Sequence, residues 1–165
     1  MDRLWAPWRM EYIISTQDDD QECIFCQKPK ETDDRENLIV YRSSQSFVIM
    51  NKFPYNNGHL MVVPYVHESD LTKFTDDVLL DMQHLLQLSL KALNETMKPH
   101  GINIGVNLGR SAGAGIVDHL HYHMVPRWNG DTNYMPILTG TKVVSEALGD
   151  SWKKLHTSFK NLSSR

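Results

Sequence analysis

The sequence predicts a single α+β domain with a mainly antiparallel β-sheet, one long central helix and a carboxy-terminal helix. Two β-rich segments that form a hairpin come first, a long segment with helical spacing follows, and further β-rich segments come after it. A chain of 165 residues is one domain that can bury a core without disulfides. We divide it into an amino-terminal extension (1–22), a core (23–128) and a carboxy-terminal loop and helix (129–165).

The first half of the predicted sheet consists of three strands. Residues 38–42 and 47–51 are rich in β-forming side chains and are separated by the short polar segment 43–45, which indicates a hairpin. Residues 52–58 contain proline, asparagine and glycine and read as a turn. They lead into a third strand at 59–64.

The long helix is predicted from Thr75 to Met97. Asp76 and Asp77 complement its dipole in the first turn, and a proline and a glycine lie just past its end. Its apolar residues at helical spacing are Val78, Met82, Leu85, Leu86, Leu93 and Met97. Two more strands follow at 102–108 and 118–126, and a last helix is marked by Val144, Leu148, Trp152, Leu155 and Phe159.

Composition excludes several classes of protein. A net charge of -3 and a pI near 6.2 argue against a nucleic-acid binder, which needs a basic face for the phosphates. No apolar run approaches the roughly 20 residues that cross a bilayer, and the amino terminus lacks the apolar stretch of a secretory signal. We therefore expect no membrane association and a cytoplasmic protein. Both cysteines lie within residues 23–26, too close together to join distant parts of the chain.

Three histidines alternate with apolar residues between Asp118 and Pro126. The period of a β-strand places His119, His121 and His123 on one face. Each imidazole needs hydrogen-bond partners, and none fills a core as well as valine or isoleucine. The interpretations are a solvated strand, a metal site or a catalytic site that handles phosphate.

A metal site is limited by strand geometry. Residues four apart on a strand are separated by about 13 Å, whereas zinc needs its ligand atoms within roughly 2.0–2.3 Å, so His119 and His123 are near the limit of reaching one ion. Cys23 and Cys26 have the spacing of half a zinc site, for which we choose His67 and His119 as the other ligands. A closed site of this kind would be structural. Two reduced, buried cysteines are the alternative.

His121 is then left without a metal role. An unperturbed imidazole has a pKa of about 6.5, so it is mostly neutral at pH 7 and is a competent nucleophile for phosphorus. The preceding loop, residues 109–115, has three glycines, which let backbone N–H groups approach a phosphate, and Arg110 could add charge. A plain flexible turn is the alternative for this loop.

The segment from His119 to Val125 resembles the signature of the histidine-triad superfamily of nucleotide hydrolases and transferases. Residues 47–51, 58–67 and the glycine loop follow in the order of that family, so the resemblance covers about residues 20–128. Residues 3–10 and 126–133 are similar to the bacterial branch that includes diadenosine tetraphosphate phosphorylases. The resemblance implies a homodimeric enzyme that cleaves nucleotides at the α-phosphorus, with diadenosine polyphosphates as expected substrates.

The resemblance also assigns roles to residues. His121 corresponds to the nucleophile that becomes a nucleotidyl-histidine, His59 and His123 to histidines that contact the phosphates and orient it, and His119 to the first histidine of the triad. His119 matches a zinc ligand in relatives that carry two cysteines, and Cys23, Cys26 and His67 match the other three ligands. The expected nucleotide-binding positions are Asn51, at the ribose, and Asn107, Gly113, Ala114, Gly115 and His123, at the phosphates.

One position departs from the family pattern. Many relatives have glutamine followed by serine or threonine just before the triad, whereas this chain has Gly115 and Ile116. The choice between hydrolysis and phosphorolysis therefore stays open. Two alternatives to an enzyme that cleaves diadenosine polyphosphates are a nucleotide-binding regulatory protein with little turnover and a nucleoside phosphoramidate hydrolase. A third is a purely structural zinc protein, but that hypothesis does not explain why His121 and His123 share a face.

Overall fold

The computed structural model describes residues 22–131 and 146–164. The predicted amino-terminal extension, apart from Glu22, and Val144 of the predicted last helix lie outside these residues. None of the helices within them is long and apolar enough to cross a membrane.

The described residues form one five-stranded sheet whose neighbouring strands are all antiparallel, as predicted. The strands are β1 (Ile39–Arg42), β2 (Ser46–Met50), β3 (Leu60–Pro64), β4 (Gly101–Val106) and β5 (Tyr122–Arg127), in the spatial order β1-β2-β3-β5-β4. The helices are α1 (Ile24–Gln27), α2 (Asp76–Thr96) and α3 (Leu148–Ser163). The predicted bounds of the strands and of the long helix are close to these, except that β5 begins four residues later than the predicted strand. The short helix α1 was not predicted.

Both faces of the central strands are covered. The long helix α2 and the carboxy-terminal α3 pack on one face, and the short α1 packs on the other. The buried apolar residues form one cluster on each face. The cluster on the side of α2 and α3 includes Val48, Met50, Leu60, Val62, Met82, Leu93, Leu120, Met124, Leu155 and Phe159. The cluster on the side of α1 consists of Phe25, Ile39, Phe47, Ile49, Met61 and Val63. This double burial explains why β3, and β2 after Ser46, are continuously apolar in sequence.

A carboxylate of α2 fixes the β1–β2 turn. Asp81 accepts hydrogen bonds from the hydroxyls of Ser43 (2.5 Å), Ser44 (3.2 Å) and Ser46, and from the backbone N–H of Gln45 (3.3 Å). Partial burial raises the pKa of Asp81, but these donors more than offset it, so the pKa lies below its ordinary value. The turn is thereby held against the helix.

Gly58 makes a tight turn directly before His59. Its φ of +70° is unfavourable for other residues, and a Cβ at this position would overlap the sulfur of Met97 at the end of α2. A larger residue would strain the backbone and require the Met97 side chain to move aside, so glycine suits the turn that lies against the helix end directly before His59.

Candidate functional site

The histidine row keeps the predicted alternation, but the prediction of one continuous strand from Asp118 was wrong. Leu120 and Met124 lie in the core beneath α2, whereas the histidines face the other way. The ladder ends at Tyr122, which pairs with Val62 of β3. Pro64 lies two residues further along β3, opposite the place where the pairing would continue. It has no N–H to donate, and its carbonyl already accepts a hydrogen bond from the His119 side chain. The Leu120 N–H donates instead to the carbonyl of Glu68, at 2.8 Å.

His121 is buried and held in one orientation. It is 5% exposed, and its Nδ1 lies 2.8 Å from the carbonyl oxygen of His119. A carbonyl only accepts, so Nδ1 carries the proton and the neutral ring keeps its lone pair on Nε2. Burial lowers the pKa of His121, which favours this neutral form. The ring packs 4.9 Å from that of Phe25 and 4.8 Å from that of His123.

His59 and His123 form a second, directed pair. The Tyr55 N–H donates to Nδ1 of His59 at 3.1 Å, so in the neutral ring the proton of His59 lies on Nε2. That Nε2 is 3.0 Å from Nδ1 of His123, which must accept. The proton of His123 therefore lies on its Nε2, where it can donate a hydrogen bond to a ligand.

The predicted nucleotide-binding positions lie in two places. Asn51 is beside His59: its Nδ2 is 3.4 Å from Nδ1 of that ring, and its Oδ1 accepts from the N–H of Phe53 at 2.9 Å. Asn107 follows β4 and donates to the carbonyl of Gly113 at 3.4 Å. This contact closes the glycine loop.

The glycine loop has the backbone that its composition predicts. Gly109 and Gly113 have φ of +82° and +92° on either side of a single 3₁₀ turn, Arg110–Ala112. Ala114 is buried and Gly115 is half-buried, while Arg110 is exposed. Glycine is needed at the two positive-φ positions, which bend the chain back toward Asn107.

Two cysteines and two histidines form a compact cluster that could hold a metal ion. One ligand atom from each of Cys23, Cys26, His67 and His119 lies within 4.8 Å of all the others. Sulfur to Nδ1 distances are 3.4 Å for Cys23 to His119, 3.3 Å for Cys26 to His67 and 3.6 Å for Cys26 to His119. A tetrahedral zinc ion with ordinary bond lengths separates sulfur and nitrogen ligands by about 3.6 Å, so these residues fit such an ion.

The outer contacts of the cluster fit a metal as well. Nε2 of His119 donates to the carbonyl oxygen of Pro64 at 2.9 Å, which leaves Nδ1 to face the cysteines, and metal-bound histidines usually make such a bond. Burial is the main cause that lowers the pKa of His119 to about 4, so the ring is in the neutral form that binds metals.

Sequence reasoning missed four residues that position the site. Phe25 lies between the two cysteines, and its ring packs 5.4 Å from that of His119 and 4.9 Å from that of His121. Tyr55 stacks on His59 at 4.9 Å. Asn56 and Asp131 join the turn before β3 to the end of β5. The position of Phe25 between the cysteines was the only local signal for it, and the other three required the fold.

Comparison with known proteins gives concordant matches. The model of the HIT domain family matches residues 32–130. The AP-4-A phosphorylase of Mycobacterium tuberculosis strain H37Rv is 37% identical over 166 residues, covering 96% of this chain and 85% of that protein. An uncharacterized HIT-like protein of Saccharolobus solfataricus is 34% identical over 113 residues, covering 68% of this chain and 79% of that protein.

Solved structures show the same fold. A Zn-bound histidine triad family protein from Mycobacterium smegmatis superposes with a TM-score of 0.68 at 26% identity, covering 87% of this chain and 96% of that one. A hypothetical histidine triad nucleotide-binding protein from Sulfolobus tokodaii gives a TM-score of 0.69 at 27% identity, covering 86% of this chain and 94% of that one.

Proposed function

The chain belongs to the HIT domain family, and from this premise we propose that it cleaves nucleoside phosphoanhydrides at the α-phosphorus through a covalent nucleotidyl-His121. Diadenosine polyphosphates are the proposed substrates, as the name of its M. tuberculosis relative suggests. The observation that carries the proposal is the 2.8 Å contact between Nδ1 of His121 and the carbonyl of His119, because it leaves the Nε2 lone pair for phosphorus.

The reaction consists of two displacements. In the first, Nε2 of His121 forms a bond to the α-phosphorus while the bond from phosphorus to the bridging oxygen of the leaving nucleotide breaks. Positive charge develops on the imidazole, and the Nδ1–H bond to the His119 carbonyl stabilises it. In the second, an oxygen of phosphate or water attacks the same phosphorus and gives its proton to solvent, while the bond from phosphorus to Nε2 breaks and releases His121 as the neutral ring.

The His59–His123 pair supplies a donor to the phosphate. The Nε2–H of His123 can donate a hydrogen bond to a phosphate oxygen, and the 3.0 Å bond from Nε2–H of His59 to Nδ1 of His123 keeps that ring in the tautomer that can do so. We assign Asn51 to the ribose and Asn107, Gly113, Ala114 and Gly115 to the phosphates. The second assignment is supported by the closed glycine loop, whose positive-φ glycines allow close approach of backbone N–H groups.

We propose that Cys23, Cys26, His67 and His119 hold zinc. The fit of the four ligand atoms to a tetrahedron supports this, as does the Zn-bound relative from M. smegmatis. A site with four protein ligands has no open position for substrate, so zinc would hold α1 against the segment that carries His119 and would take no part in the displacements. Thiolate ligands need a reducing compartment, which agrees with the cytoplasmic location that the sequence predicts.

The deciding experiment uses labelled diadenosine tetraphosphate with and without phosphate. We expect an acid-labile nucleotidyl-protein in the native chain and none in His121→Ala, with His84→Ala, an exposed histidine of α2, as the matched control. ADP and ATP in the presence of phosphate identify phosphorolysis, and AMP and ATP identify hydrolysis. A native protein that turns over but forms no nucleotidyl-histidine contradicts the mechanism.

A nucleotide-binding regulatory protein is the second candidate. The observation that favours it is the Gly115–Ile116 pair before the triad, which offers no side-chain hydroxyl to the α-phosphate. Tight binding of AMP without turnover of any diadenosine polyphosphate would favour this candidate.

Adenosine phosphoramidate belongs in the same series of test substrates, because its P–N bond is open to the same attack by His121.

We propose that the protein is a homodimer. Strand β4 is the last strand of the sheet, and Ile104 and Leu108 on or beside it are 44% and 52% exposed. A sheet edge with exposed apolar side chains favours pairing with another chain. Sedimentation of the native protein should give twice the chain mass, and Ile104→Lys should give a monomer; a native monomer at micromolar concentration contradicts the proposal.

A further inference from the structure

The turn between β2 and β3, residues 51–59, supplies the group that orients His59. The backbone N–H of Tyr55 bonds to Nδ1 of His59, and the Tyr55 ring stacks on the imidazole with an angle of 25°. The ring of Tyr55 also lies 6.0 Å from that of His123. This turn has no helix or strand before β3, and side-chain contacts add to the backbone bond from the Asn51 N–H to the carbonyl of His59, at 2.9 Å, in holding it.

Asn56, the next residue, makes such contacts. It is 9% exposed, and its Nδ2 donates to Oδ2 of Asp131 at 2.8 Å and to the carbonyl of Pro126 at 3.0 Å. Its own carbonyl accepts from the N–H of His59 at 3.2 Å. One residue therefore joins the backbone of His59 to the end of β5, the strand that carries His123.

Asp131 is itself held in place. Its carboxylate accepts from Nε and Nη2 of Arg127, at 2.6 and 3.0 Å, and from the N–H of Trp128 at 3.2 Å. Arg127 is the last residue of β5 and also donates to Asn103 of β4 at 3.1 Å. The acceptor that faces Asn56 is thus fixed to two strands of the sheet.

These contacts form a closed circuit around the imidazole pair. It runs from His123 along β5 to Asp131, across to Asn56, through Tyr55 to His59, and back across the 3.0 Å His59–His123 contact. We propose that the Asn56–Asp131 bond acts as a clamp that sets the His59–His123 hydrogen bond. Asn56 and Asp131 are then positioning residues for the reaction proposed above, on which this inference rests, and they act without touching substrate.

The alternative is that Asn56 only stabilises the fold. The same turn offers a control for this, because its neighbour Asn57 accepts from the hydroxyl of Ser151 on α3 at 3.2 Å. Ser151→Ala removes this contact between the same turn and α3, together with the 2.7 Å bond from the same hydroxyl to Glu146. A purely structural turn would respond to the loss of either contact in the same way.

The kinetic test compares Asn56→Asp with Ser151→Ala. Asn56→Asp places two carboxylates opposite each other, so the turn must move, and a displacement of about 1 Å can cost about 100-fold in rate. We expect kcat to fall about 10- to 100-fold with little change in KM, and Ser151→Ala to stay within about 3-fold of native. The exchange Asn56→Asp with Asp131→Asn restores a donor and an acceptor in reverse and should recover part of kcat. Equal losses in Asn56→Asp and Ser151→Ala would overturn the clamp.

A second measurement does not depend on turnover. Nitrogen-15 chemical shifts of the His59 and His123 rings in the substrate-free protein report which nitrogen carries each proton. We expect a single Nε2–H form for both rings in the native protein and in Ser151→Ala, and mixed forms in Asn56→Asp. Native shifts in folded Asn56→Asp refute the clamp, even if the native protein cleaves no nucleotide and the proposed function fails. If Asn56→Asp does not fold, Asp131→Asn, which keeps the shape of the side chain, decides by the same shifts.

Discussion

The carbonyl oxygen of His119 lies 2.8 Å from Nδ1 of His121, and the side chain of His119 belongs to the Cys/His cluster. One residue thus offers Nδ1 to the cluster, donates Nε2–H to Pro64, and accepts from the proposed nucleophile through its backbone. The cluster and the nucleophile are consequently parts of one rigid unit, although their chemical roles differ.

Removal of the proposed metal should lower stability strongly. We expect one zinc per chain as purified, and a loss of more than about 3 kcal/mol of unfolding free energy in Cys23→Ser, since any ligand present at 100 times its Kd contributes about that much. For a domain of this size the loss lowers Tm by at least about 6 °C. Metal analysis and calorimetry measure both quantities. Tight zinc in Cys23→Ser, or none in the native protein after metal-replete expression, contradicts the site.

Phe25 should be the most sensitive apolar residue of the site. Its ring is 1% exposed and contacts both His119 and His121, so Phe25→Ala leaves a cavity and should cost about 3–5 kcal/mol of unfolding free energy. Phe25→Leu fills most of the space and should cost about 1–2 kcal/mol. Denaturant unfolding measures this difference. Metal content should remain in Phe25→Leu; if it is lost there, the ring does more than fill space.

The sequence predicted which side chains come together at this site better than it predicted the residues that hold them in place. Alternation placed the histidines on one face, and cysteine spacing with the family resemblance selected four residues whose ligand atoms lie within 4.8 Å. These features are local or periodic. The contacts of Asp81 and Asn56 leave no periodic signal, because a polar side chain has the same local pattern with or without its distant partner. Asp81 bonds to serines that lie 35 to 38 positions earlier in the chain, and the partner of Asn56, Asp131, lies 75 positions later.

Asp81 should make stability depend on pH. Its pKa is lowered in the folded protein, so it stabilises the fold above the unfolded value of about 3.9, and this contribution is lost as the pH falls through the folded pKa. At pH 7, Asp81→Asn should cost about 2 kcal/mol, because the carboxylate accepts several hydrogen bonds. The difference from native protein should shrink below about pH 4. Asp77→Asn, exposed in the first turn of α2, is the control and should cost only tenths of a kcal/mol. A difference that does not change with pH contradicts the role of the charge.

Gly58 is favoured both by its positive φ and by the lack of space for a Cβ, and a comparison with two other glycines distinguishes the two effects. At Gly105 a Cβ has open space and φ is ordinary, at Gly109 it has open space but φ is +82°, and at Gly58 it meets both a φ of +70° and the Met97 sulfur. Substitution by alanine should therefore cost little at Gly105, about 1–3 kcal/mol at Gly109 for its extended, positive-φ backbone, and at Gly58 about 1–3 kcal/mol for the overlap in addition to its own backbone cost. Urea unfolding measures the series.

Adding Met97→Ala to Gly58→Ala tests the last step, because it removes the overlap and leaves the backbone cost. The two changes should then be non-additive, with a coupling of about 1 kcal/mol or more, since they involve atoms in direct contact. Additive losses would mean that the Met97 side chain moves aside freely and that the φ alone requires glycine.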